Sequence, residues 1–148
     1  MNAKRVKEHF DNFSKNYDQF AFNSSKGLLY LSNIEKDFIV SSISKKKGKA
    51  LDIGIGTGRI SSILVKNFKV TGVDLSKEMT KYAYEKLKDY KPKIIIHDIN
   101  NRFNLKDKSF DFIVSLRVLK YVKNWKSSIL EIKRLLKSDI FSFYSTLA

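Results

Sequence analysis

The stretch Ala50 to Ile60, ALDIGIGTGRI, constrains this chain more than any other. Ala50-Leu51-Asp52-Ile53 is an apolar run suited to a short buried strand, and Ile60-Ser61-Ser62-Ile63-Leu64 reads as a helix. Between them stand Gly54, Gly56 and Gly58, three of the chain's six glycines within five residues. Glycine admits positive φ and has no Cβ, so a strand can turn sharply into a helix and a ligand can lie against the backbone. A plain strand-to-helix turn needs one such residue; three point to a ligand loop.

The spacing narrows the ligand. No Gly-Lys-Ser/Thr follows, so the loop is not a P-loop. A dinucleotide loop starting at Gly54 needs glycine at 59, where Arg59 stands. The pattern is instead D-x-G-x-G-x-G, beginning at Asp52. A carboxylate there repels a pyrophosphate and attracts an ammonium group. A second apolar run, Val70-Thr71-Gly72-Val73, ends in Asp74, 20 residues after Gly54. An acidic residue at the end of a second strand can accept hydrogen bonds from both ribose hydroxyls. The implied ligand carries a ribose and an amino-acid ammonium and needs no phosphate.

These segments, with IIIHDI and SFDFIVSLRVLKYVKNWKSSILEIKRLLK, resemble the class I S-adenosylmethionine-dependent methyltransferases from about Lys49 to Lys137. The resemblance is to small-molecule enzymes of the quinone and biotin pathways. It implies S-adenosyl-L-methionine as cofactor and a small-molecule acceptor. It further implies an α/β, Rossmann-like parallel sheet in the order 3-2-1-4-5, with helices on both faces and an N-terminal helical lid over residues 1–46 preceding a core over 47–148. The implied cofactor site comprises Asp52, Gly54, Ile55, Gly56 and Gly58 of the loop, Asp74, Leu75 and Met79 of the second unit, Asp98 and Ile99 after the third strand, and Leu116 after the fourth. Asp98 would accept from the adenine amino group and Ile99 would donate its backbone amide to the ring. HFDNFSKNYD looks like a segment that folds over the cofactor in such enzymes, which adds Tyr17. No catalytic residue follows: Lys120-Tyr121 stand where relatives tend to have histidine, although Tyr121 or Arg117 can position an acceptor.

At 148 residues one domain is expected, large enough for a sizeable core. No apolar run approaches the ~20 residues that span a bilayer, and MNAKRVKEHF lacks the apolar centre of a signal peptide; a cytoplasmic protein is expected. The absence of cysteine excludes thiolate chemistry, including that of cytosine-5 methyltransferases. Two histidines without cysteine predict no zinc site. The formal net charge is +14. Nucleic acid is one reading of it. The bias is shared, however, by residues 1–49, with ten basic and five acidic side chains, and by residues 50–148, with nineteen and ten. A lysine-rich composition is therefore favoured over a nucleic-acid partner. Nor does Ser115-Leu116-Arg117-Val118 match the Asn/Asp-Pro-Pro-aromatic motif of amino-group methyltransferases of nucleic acids.

Along the chain, Val6, Phe10, Phe13, Tyr17 and Phe20 fall on one helical stripe, and a second helix over 27–43 is expected to turn Leu28, Leu31, Ile34 and Phe38 inward. Helix A follows the glycine loop to about Asn67. Ser76 suits the N-cap of a helix whose buried stripe is Met79, Tyr82, Ala83 and Leu87. Lys93 to His97 and Phe110 to Leu116 are strands three and four, with His97 expected to be a packed side chain. Asn124 caps a last helix with Trp125, Ile129, Ile132 and Leu136 inward. Ile140 to Ser145 is expected to form strand five, with the family's closing antiparallel hairpin missing. That edge predicts either a homodimer or marginal stability, and a cofactor-binding protein without turnover is an alternative reading of the same shortness.

Overall fold

The structure, a computed structural model, describes residues 2–137. Its centre is a four-stranded, wholly parallel sheet of β1 (Gly48–Ile53), β2 (Phe68–Asp74), β3 (Lys93–Ile96) and β4 (Phe112–Val114) in the order β3-β2-β1-β4. The expected order holds for these four strands; residues 140–145, and with them strand five and its edge, lie outside the described residues. Among the described residues there are five α-helices: α1 (Ala3–Phe13), α2 (Lys26–Ile43), α3 (Ser61–Leu64), α4 (Lys77–Leu87) and α5 (Trp125–Leu135).

Alternate residues of β1 face opposite layers, as the strand's two-residue period requires. Ala50 joins Ile39, Ile43, Leu64, Val70 and Val114 on one face. Leu51 and Ile53 join Val73, Ile113, Ile132 and Leu135 on the other. Burial on both faces explains why these strands read as continuous apolar runs. Ser76 caps α4 by accepting from the Met79 amide at 3.1 Å, and Asn124 caps α5 by accepting from the Ser127 amide at 3.2 Å, both as the sequence suggested.

Several helical readings need correction. The first stripe is not one helix: α1 stops at Phe13, a 3-10 turn covers Ser14–Asn16 and a π-helical turn covers Gln19–Asn23. Phe13 and Phe20 are exposed. Helix A is a single turn rather than a run to Asn67. On α4, Tyr82 is exposed while Thr80 is buried. On α5 Ile132 is buried as expected, and so is Leu136 just past the helix; Ser128 and Leu135 join them, and Trp125 faces out.

The largest change of phase is on α2. Leu31, Ile34 and Phe38 are 43%, 42% and 45% exposed, and the buried face is Ser32, Glu35, Ile39 and Ile43. Glu35 rotates the helix. Its carboxylate binds Arg59 at 2.6 Å and Arg117 at 2.9 Å, and Ser32 on the same face accepts from Arg59 at 3.1 Å. A buried charge left unpaired costs several kcal/mol, more than the exposure of apolar surface on the outer face.

Candidate cofactor site

Parallel strands all end at one pole, so the loops following β1, β2, β3 and β4 converge there. A cavity opens at that pole. It is lined by Gly54 and Gly56 after β1, Asp74, Leu75 and Met79 after β2, His97, Asp98 and Ile99 after β3, and Leu116, Arg117 and Val118 after β4. Ala3, Val6, Lys7, Phe10 and Tyr17 of the N-terminal segment, with Tyr121, close the remaining side.

The loop glycines adopt the backbone the spacing asks for: φ is +76° at Gly54, +53° at Gly56 and +81° at Gly58. At Gly54 a Cβ would stand 2.1 Å from Val118 Cγ2. At Gly56 a Cβ would make ordinary contact, 3.9 Å from the Gly54 carbonyl oxygen and Met79 Cε, so the positive φ rather than lack of room calls for glycine there.

Asp74 is the organising carboxylate. One oxygen accepts from the Gly56 amide and the other from the Ser76 amide, both at 2.9 Å. It thereby ties the glycine loop to the start of α4 while facing the cavity. Burial raises its pKa and the amides of Ser76 and Gly56 oppose that shift. Asp98 accepts from the Asn100 backbone amide at 2.9 Å and side-chain amide at 2.7 Å through a single oxygen, which leaves the second oxygen to face a ligand. His97 packs its ring on Phe103, with centroids 4.8 Å apart, yet also borders the cavity.

Nine of the twelve implied site residues meet at this cavity: Tyr17, Gly54, Gly56, Asp74, Leu75, Met79, Asp98, Ile99 and Leu116. Asp52, Ile55 and Gly58 do not line it. Asp52 is 3% exposed beneath the loop and accepts from Ser61 Oγ at 2.7 Å, and burial pushes its pKa up to about 6. Ile55 is buried against Ala83 and Leu87, and Gly58 lets the loop pack within contact of Ala83. Tyr17, whose pKa burial raises to about 12, meets Phe10 and Phe22 edge to face.

Three carboxylates fasten the N-terminal segment to the core. Asp11 accepts from Ser76 Oγ and, at 3.3 Å, from the Glu78 amide at the start of α4. Asp18 accepts from Thr57 Oγ1 in the glycine loop and from Lys86. Glu35 holds Arg59 and Arg117, whose guanidinium carbons lie 4.1 and 4.9 Å from the centre of the Phe22 ring. Arg117 has φ +60°, a backbone state uncommon outside glycine, and its side chain also donates to the Ala21 carbonyl. These cross-links escaped the sequence reading, because Glu35 is 24 residues from Arg59 and 82 from Arg117. A glutamate within an apolar helix face was the one available signal.

Residues 51–141 match the family described as "Methyltransferase domain". An uncharacterized protein of Methanocaldococcus jannaschii is 38% identical over 130 residues, covering 86% of this chain and 56% of that protein. The malonyl-[acyl-carrier protein] O-methyltransferase of Priestia megaterium is 26% identical over 150 residues, covering 99% of this chain and 52% of that enzyme. The Haemonchus contortus phosphoethanolamine N-methyltransferase 1, solved with phosphoethanolamine and S-adenosylhomocysteine, superposes with a TM-score of 0.73 at 20% identity, covering 94% of this chain and 32% of that one. The chain spans about half the length of the curated relatives it matches. With the parallel β3-β2-β1-β4 sheet, the D-x-G-x-G-x-G loop and the Asp74 position, these matches place the chain in the class I S-adenosylmethionine-dependent methyltransferase family.

Proposed function

We propose that this chain binds S-adenosylmethionine at the C-terminal pole of its sheet and transfers the methyl group to a small-molecule acceptor. The observation that carries this reading is the cavity in which Asp74, Asp98 and the positive-φ glycines Gly54 and Gly56 face one another. The residues suit the cofactor. Gly54 and Gly56 line the cavity without side chains, which lets the ligand's amino-acid portion lie against the backbone. Asp74 accepts from the ribose hydroxyls, and the free oxygen of Asp98 accepts from the adenine amino group. Leu75, Ile99 and Met79 supply apolar contact to the base. Asp52, beneath the loop, contributes its field rather than a direct contact, favouring the ammonium end. The cations bordering the cavity, Lys7 and Arg117, are already paired with Asp11 and Glu35, so a pyrophosphate finds no free partner there.

The bound cofactor supplies an activated methyl group and its own leaving group. The chain's residues therefore position and desolvate rather than attack. Phe10, Tyr17 and Tyr121 wall the outer part of the cavity. They would exclude water and hold a small acceptor with apolar faces, while Arg117 and the Tyr121 hydroxyl orient its polar end.

Asp74→Ala tests the assignment. Charge-assisted hydrogen bonds contribute roughly 1.5–3 kcal/mol, so calorimetry should show S-adenosylhomocysteine binding weakened on the order of tenfold or more. Wild type should bind NAD poorly. Unchanged affinity in the folded variant would remove Asp74 from the site, and NAD binding without S-adenosylhomocysteine binding would overturn the reading.

A further inference from the structure

Nine of the chain's lysines, scattered in sequence, converge in space. A parallel sheet brings every strand start to the pole opposite the cofactor cavity, and lysines stand at all four starts. Lys45 and Lys47 precede β1, and Lys49 is its second residue. Lys66 and Lys69 flank the start of β2. Lys91 and Lys93 do so for β3, and Lys106 and Lys108 precede β4. All are exposed, and none forms an ion pair among the described residues. The nearby carboxylates Glu85, Asp107 and Asp111 are already bound to Lys88, Arg134 and Lys137, which leaves Asp89. Around the cofactor cavity, Lys7, Arg59, Lys86 and Arg117 are each paired with a carboxylate, while Lys77, Lys123 and Lys126 near that pole are exposed without an ion pair among the described residues and are not aligned across strands.

Two features argue against a purely structural role. Lys49 and Lys69 are direct register partners on adjacent strands, and Lys93 pairs with Thr71, two residues further along β2. Like charges placed side by side on a sheet destabilise it. The dipoles of α2 and α4 favour cations just past Ile43 and Leu87, but that effect fades within one turn and does not reach Lys49, Lys69 or Lys93. We propose that this pole binds the phosphate backbone of a single-stranded nucleic acid. The lysines form a row across strands spaced about 4.8 Å apart, which suits a linear polyanion. Tyr90, between Lys88 and Lys91, is exposed and offers a ring on which an unpaired base can stack. Among the described residues it is the one large exposed apolar side chain within these four segments, whereas membrane-surface binding combines basic residues with several inserted apolar ones.

The proposal does not depend on methyl transfer and is tested separately. The probe is a fluorescein-labelled single-stranded RNA of 20 nucleotides, followed by anisotropy between 50 and 200 mM salt. The pole variant is Lys49→Gln/Lys69→Gln/Lys93→Gln. The control is Lys77→Gln/Lys123→Gln/Lys126→Gln, which removes the same charge from exposed positions near the other pole. Circular dichroism melts establish folding, and S-adenosylhomocysteine titration checks that the cofactor site is unaltered. Wild type should bind at 50 mM salt and weaken as salt rises. The pole variant should bind at least tenfold more weakly with a log–log salt slope shallower by about 2, and the control should stay within about twofold of wild type. Three results would overturn the proposal: no RNA binding at 50 mM salt, equal weakening in both variants, or binding to phosphatidylserine vesicles without binding to RNA.

Discussion

The sheet and the N-terminal segment are stabilised by different physics. Leu51, Ile53, Ile113 and Ile132 are fully buried among apolar neighbours, and the sheet they hold needs no charge to define it. Ala3 to Tyr17 border the cavity and are fastened through Asp11, with Asp18 just beyond; behind them α2 adds Ile39 and Ile43 to the apolar core but is turned by Glu35, which leaves Leu31, Ile34 and Phe38 exposed. Apolar burial is non-directional and tolerates small shifts. Charge-assisted hydrogen bonds fix a geometry and fail when one partner is lost. A rigid floor and a cover fastened at three points are what a site needs if ligand must enter before water is excluded.

The largest effect should come from the floor. Leu51→Ala removes a side chain with no solvent exposure and should destabilise the fold by about 2–5 kcal/mol in denaturant unfolding, through lost transfer energy and the cavity left behind. Hydrogen exchange should rise throughout the sheet. A variant with near wild-type stability would show that β1 is not central.

Next comes the cover. Glu35→Ala leaves Arg59 and Arg117, whose side chains are 13% and 14% exposed, without their shared carboxylate. The expected loss is about 3 kcal/mol, at the lower end for breaking a buried pair. Hydrogen exchange should rise in 3–43 and around Arg117 and stay unchanged in β1 and β2. Uniform loosening of the whole chain would erase the contrast between the two regions.

The smallest effect concerns Asp52, a charged group within the apolar floor. Its pKa is raised to about 6 from an unfolded value of 3.8 by burial. A raised carboxylate pKa means the folded state binds the proton more tightly. Its contribution to stability is therefore greatest below pH 4 and is lost as pH rises through 6. Relative to Asp52→Asn, wild type should gain about 1 kcal/mol between pH 7 and pH 5, measured by parallel denaturant titrations. No difference in pH dependence would mean that Asp52 titrates normally.

Most of the floor was legible in the sequence because its signals are local. The apolar runs at Ala50 and Val70, the glycine spacing, and the caps at Ser76 and Asn124 each specify a backbone within a few residues. The positions of Asp74 and Asp98 were legible for the same reason, since Asp74 closes β2, Asp98 follows β3 by two residues, and parallel topology brings strand ends together. The cover was not. Periodicity placed Leu31, Ile34 and Phe38 inward, but the phase of α2 is set by Arg59 and Arg117, which are adjacent to Glu35 only after folding. The same limit applies to the strand-start lysines, whose spread along the chain hides their convergence at one pole.

The central claim is that a charge-fastened N-terminal segment closes over a cofactor cavity built on an apolar sheet. Hydrogen exchange with and without saturating S-adenosylhomocysteine tests it most directly. Added protection is expected at 54–58, 74–79 and 97–100, and also at 3–17 on the opposite wall. Protection of the three loops with none at 3–17 would contradict it, leaving a site that the N-terminal segment does not close.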